Sequence, residues 1–328
     1  MFKRLFGGSR HSDNMRKDEP ATPDQDWAHG FNDRAKLARF LARVNEYFVE
    51  KGEAVTLGDG WVQRAPSPGS TEPARFGLTN LAFRASNAPE EEWALIIAEH
   101  FDLLERSQST IASIGETPRL EDVREMLAVR LFHPGYLGRG SPGELVGSYA
   151  AREDLPGLLT VLVLDGENWV RTLGRETTDP WGVELSDLFS IGMENLKGRI
   201  TYTVKQGQTD GGTDFFILEA DSLVASSIVL RLRDVEGMVG THGSVVSVPL
   251  RDLVLVAPLG DTPDPDLCTV LGNMSAGLCG EFEGSISPDL YWTDGQAYIQ
   301  LGMPDARARL LAHGVPKHVA GLLASGDQ

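Results

Sequence analysis

The chain has little cysteine, with Cys268 and Cys279 the only two in 328 residues. They stand at the two ends of the apolar run CTVLGNMSAGLC, a spacing that excludes a CxxC redox pair and a zinc half-site. Reduced thiols acting as small apolar side chains are expected instead. Positive charge is also scarce. Lys and Arg number 30 against 47 Asp and Glu, a net charge of −17. A field of that sign repels phosphate backbones and anionic headgroups, so no nucleic-acid partner is expected. No apolar run approaches the ~20 residues of a membrane-spanning helix. The opening MFKRLFGG lacks the apolar stretch of a secretion signal. These absences predict a cytoplasmic setting without stable membrane insertion, with a weak peripheral contact through Met1 to Phe6 as the remaining route to a bilayer.

Catalytic signatures are missing as well. HExxH does not occur, and the seven histidines are never paired at i and i+4, so no metal and no cofactor is predicted. The nearest approach to the GxSxG of a serine hydrolase is Gly240-Thr241-His242-Gly243-Ser244, where histidine replaces the nucleophile. It reads as a glycine-rich turn leading into VVSVP. Gly138 to Gly143 matches GxGxxG, yet Pro142 removes a backbone donor and Pro134-Gly135 breaks the segment before it. A loop-like linker is therefore expected, not a dinucleotide cradle.

What is present is a well-patterned fold. Hydrophobic residues make up 41% and charged residues 23%, the balance of a globular protein. Residues 9–27 are polar and unpatterned, and 1–27 read as a disordered tail. A first helix begins at Asn32 or Asp33, carries Leu37, Phe40, Leu41, Val44 and Phe48 on one face, and stops at Gly52. AVTLGDGWVQR reads as a hairpin turning at Asp59-Gly60. FGLTNLAFRA reads as a strand, followed by a helix with Trp93, Ile96, Ile97, Phe101 and Leu104 in one stripe. A short helix from Leu120 passes into a strand near Val129 to Phe132. LLTVLVLD and NWVRTLG form a strand pair, and Glu184 to Leu196 forms a helix. The block GSVVSVPLRDLVLVA, the helical run VLGNMSAGLC and the strands ISPDLYW and AYIQL follow. Strand pairs joined by short turns and separated by helices predict an α+β protein with antiparallel sheets covered by helices. Two similar lobes are expected, residues 28–135 and 150–303, with a junction at PGYLGRGSPGE and a helical tail over 304–328.

Glu194-Asn195-Leu196, FFILEADSLVASSIVL, VVSVPLRDLVLVA and VLGNMSAGL with its final strand pair resemble the YtpQ-like proteins, the bacterial domain-of-unknown-function family 1444. The likeness covers Glu184 to Leu301, and 1–27 and 305–328 have no counterpart in it. It implies a fold and a bacterial cytoplasmic setting, and no activity. Carried over residue by residue, it marks Asn195, Pro249, Asp252 and Asn273. Each also has a structural role open to it: helix termination, a turn between strands, a backbone tie, and a helix cross-link. Two functions compete. The first is a non-enzymatic protein-binding or regulatory module whose partner is basic or neutral. The second is a hydrolase drawing on Asp252, His242 and neighbouring acids.

Overall fold

The chain was analysed as a computed structural model that describes residues 28–301, apart from 29–30, 32, 66–73, 139, 167–168, 263, 265 and 283. The expected tails at 1–27 and 304–328, and the Met1 to Phe6 contact, lie outside the described residues. Asp33 opens the first helix by accepting a hydrogen bond from the Ala35 amide at 2.8 Å. Helix α1 (Arg34–Glu50) then buries Leu37, Phe40, Val44 and Phe48, the face that the spacing predicts. Gly52, at φ 76°, follows its end. Strands β1 (Val55–Gly58) and β2 (Trp61–Arg64) pair with Gly58 opposite Trp61, leaving Asp59-Gly60 as the two-residue turn. Strand β3 (Ala74–Gly77) completes a three-stranded antiparallel sheet.

FGLTNLAFRA is only briefly a strand. From Thr79 to Ser86 it is helix α2, because Leu78, Leu81, Ala82 and Ala85 are all fully buried at helical spacing. A strand would have sent Leu78 and Leu81 to opposite faces. Helix α3 (Trp93–Ile114) follows a turn of three glutamates and lays Trp93 edge-on to Phe40 and Phe101 edge-on to Phe48. Those rings form the core of the helical part.

Helix α4 (Leu120–Val123) leads into β4 (Leu127–Phe132). The stretch expected as a loop, PGYLGRGSPGE, instead carries two short helices, α5 (Pro134–Leu137) and α6 (Pro142–Ser148). Ser141 and Glu144 form a reciprocal capping box, which stabilises the start of α6 and places Pro142 where its missing amide costs nothing. Strands β5 (Ala151–Leu155), β6 (Leu158–Asp165) and β7 (Val170–Thr172) follow. All four strands form one antiparallel sheet: β4 pairs along the length of β6, from Leu127 opposite Leu164 to Phe132 opposite Leu159. The segment expected to join two lobes therefore connects two strands of a single sheet.

Helix α7 (Arg175–Thr178) precedes α8 (Leu185–Asn195). Gly192 lets α8 approach β4 closely, since a Cβ there would stand 3.1 Å from the Ala128 carbonyl carbon. The remaining strands are β8 (Thr203–Gln208), β9 (Asp214–Glu219), β10 (Ser244–Leu250), β11 (Leu253–Pro258), β12 (Leu290–Thr293) and β13 (Tyr298–Gln300). They form a six-stranded antiparallel sheet in the order β13-β12-β10-β11-β9-β8. Helix α9 (Leu267–Glu281) covers one face through Leu271 and Leu278, which cluster with Val245, Leu255 and Trp292. Leu131, Leu155 and Leu158 of the four-stranded sheet form a core with Leu218, Val246, Val254 and Tyr291 of the six-stranded one. A 3-10 segment, Ala225–Asp234, is wedged at this junction. Its Ser227 hydroxyl donates to the Val129 carbonyl at 2.7 Å, and Tyr291 reaches the Pro156 carbonyl at 3.2 Å. The architecture is α+β, three antiparallel sheets with helices packed on them.

Candidate functional site

The residues singled out in the sequence are spread over the two larger sheets and their helices. Asn195 closes α8: its side-chain amide donates to the carbonyls of Arg124 and Leu127 at 2.8 and 2.9 Å, tying the helix end to the start of β4. Pro249 lies inside β10 and not in a turn. It is buried at the register shift between Ser247 and Leu250, the kind of bulge that tolerates a missing amide in a central strand. Asn273 is exposed on α9. His242 holds the turn before β10. Its amide donates to the Leu259 carbonyl, its own carbonyl accepts from the Trp292 indole, and its Nε2 meets the exposed Asp261 carboxylate at 2.9 Å. Asp252 sits at the other end of β10, in the turn to β11, where burial pushes its carboxyl above the usual carboxylate range. The length of β10 separates the two, roughly 20 Å at about 3.3 Å per residue. The structure does not bring Asp252 and His242 together.

A cleft forms elsewhere, at the C-terminal end of β4. Its cavity of about 300 Å³ is lined by Arg130 to Phe132 of β4 and His133 after it, Thr79, Asn80 and Phe83 of α2, and Tyr136 of α5. The opposite wall comes from Arg251 of the β10–β11 turn and from the segment that ends α9, including Phe282 and Ser285. Arg130 and Phe132 share one face of β4 because side chains two apart along a strand do so. The Arg130 guanidinium carbon lies 4.6 Å from the Phe132 ring centre, and that ring stacks on Tyr136 at 5.7 Å. Tyr136 is 71% exposed at the mouth.

The Arg130 Nε is buried and meets no hydrogen-bond partner, and Arg130 makes no salt bridge with any described residue. Burial pushes its pKa down to about 10, and the positive Arg251 acts in the same direction, so it remains a cation at neutral pH. Asp165 acts on it from a distance and is itself paired with Arg199 at 3.4 Å. The cleft thus holds a cation with no ion-pair partner among the described residues. Cys279 also lines it, and its thiol donates to the Pro249 carbonyl at 3.3 Å. Burial raises its pKa above that of an ordinary thiol, so it is a poor nucleophile.

Sequence reasoning passed over Arg130. The usable signal was a lone arginine inside LAVRLF, a strand whose other residues are all buried. Among the described residues no group of three or more His, Cys, Asp or Glu is placed to hold a metal ion, and no helix is long and apolar enough to cross a membrane. Comparison with models of known protein families, with curated proteins and with solved structures found no match to this chain.

Proposed function

We propose that this chain is a non-enzymatic binding module that holds a protein partner at the β4 cleft, with Tyr136 as the exposed anchor at its mouth. One observation carries the reading: Arg130, with its Nε buried and unsatisfied and no salt bridge to a described residue, lines a cavity flanked by aromatic rings. Leaving such a donor unmatched costs about 1–3 kcal/mol, which a bound group recovers. An exposed tyrosine beside an arginine is also a pairing of residue types that dominate binding energy at interfaces. The cytoplasm is the proposed compartment, supported by the two free thiols and the net charge of −17. The likeness to the YtpQ-like family supports a fold and adds no activity to this reading.

The hydrolase alternative is weakened by the separation of His242 from Asp252. The deciding experiment is quantitative affinity capture from host lysate with the full chain and its Tyr136→Ala variant. A stoichiometric partner retained by the parent and lost from the variant is expected. A partner held equally by both places recognition elsewhere and removes the cleft from the function.

A further inference from the structure

We infer that the group bound in the β4 cleft is a carboxylate carried on an apolar or aromatic body. The inference rests on the binding-module reading and names the chemistry of its ligand. The contacts of Arg130 are the first argument. Its guanidinium carbon lies 4.6 Å from the centre of the Phe132 ring, and Phe132 is stacked in turn on Tyr136 at 5.7 Å. Nε is shut off from solvent, so the two terminal N–H groups, which make no salt bridge with a described residue, are the ones a ligand can meet. A planar N–H edge matches two oxygens in one plane, which is the geometry of a carboxylate bound by two parallel hydrogen bonds.

Charge is the second argument. Arg130 makes no salt bridge with a described residue, and Arg251 stands on the opposite wall, so the cleft is positive and favours an anion. A phosphoryl dianion has more charge to desolvate against the walls of Phe83, Phe132 and Phe282 than a carboxylate has, which favours the carboxylate. The same rings supply the third argument, since they offer surface to an apolar body attached to the carboxylate. Thr79 and Ser285 add hydroxyl groups at the wall that donate to carboxylate oxygens. Two sources share this chemistry: a small organic acid, and the free C-terminus of a partner chain ending in an apolar residue.

The test is isothermal titration calorimetry of the full chain with 3-phenylpropanoate, its neutral amide 3-phenylpropanamide, and phenyl phosphate. A pair of short phenylalanine-ended peptides, one with a free C-terminus and one amidated, completes the set. The acid is expected to bind at least ten-fold more tightly than both the amide and the phosphate. Arg130→Lys, which keeps the charge and loses the planar edge, is expected to lower affinity for the acid at least ten-fold. The comparison of acid with amide uses the unaltered protein and stands even if Arg130→Lys folds poorly. A free-ended peptide that binds more tightly than 3-phenylpropanoate assigns the site to a partner's C-terminus; the reverse order assigns it to a small acid. Equal binding of acid and amide, or tighter binding of phenyl phosphate, overturns the inference. If no acid binds while Tyr136→Ala still loses a captured partner, the carboxylate assignment falls and the binding-module reading survives. If that partner is also unaffected, both fall.

Discussion

His100 makes the stability of the helical part depend on acid, by an amount the structure sets. It lies on α3 with Nε2 buried and without a hydrogen-bond partner, and its ring sits edge-on to Phe101 at 5.2 Å. Burial first, and the nearby positive Arg84 second, push its pKa down from 6.5 to about 4. The folded chain therefore refuses a proton that the unfolded chain accepts between these two values. The sign follows: this group leaves stability untouched well above pH 6.5 and removes it as the pH falls through 6.5 towards 4. Linkage with those two values gives a loss of about 1.4 kcal/mol at pH 5.5 and about 2.5 kcal/mol at pH 4.5. The assay is urea unfolding of the parent and of His100→Phe at pH 7.5, 5.5 and 4.5. Phenylalanine keeps the ring contact and cannot titrate, so carboxylates elsewhere act equally on both proteins. The variant is expected to lose less stability on acidification, by about the amounts above. Parallel losses in the two proteins would refute the reasoning and mean that His100 takes up its proton without penalty.

Asn195→Ala removes two hydrogen bonds to the Arg124 and Leu127 carbonyls. At roughly 1 kcal/mol each, a loss of about 2 kcal/mol in urea unfolding is expected, with partner capture unchanged. Cys268, whose thiol is pushed up to about 11 by burial, should be about a thousandth thiolate at pH 8. Iodoacetamide labelling read by mass spectrometry should accordingly be far slower in the folded chain than in urea, and equal rates would contradict the burial.

Much of the fold is legible in the sequence where burial is one-sided or complete. The stripe of α1, the Asp59-Gly60 turn and the apolar strands β6, β10 and β11 read directly, because their side chains declare a period or an uninterrupted run. Strand β5 does not. Its sequence AREDL puts three charged residues between the buried Ala151 and Leu155, and the usable signal was the turn after it, where Gly157 has φ 81°. Strand β8, TVKQGQ, is equally silent because it is an edge strand with mostly exposed side chains, held by its backbone pairing to β9. In α2 the helical spacing lies in Leu78, Leu81, Ala82 and Ala85, and counting Leu78, Leu81 and Phe83 alone as the apolar set hides it. The cleft was illegible for a different reason. Arg130 and Arg251 lie 121 positions apart in the chain, since 251 − 130 = 121, and only the packing of the two sheets brings them to one cavity.

The junction between the sheets also sets an order of events during synthesis. Strands β4 to β7 are complete once Thr172 has been made, but Leu131, Leu155 and Leu158 find their cover only when Leu218, Val246, Val254 and Tyr291 arrive. Tyr291 follows Thr172 by 119 residues, since 291 − 172 = 119, about 6 to 24 s of translation at roughly 5–20 residues per second. Over that interval the apolar face of the first sheet is covered piece by piece, and it is whole only when Tyr291 has been made.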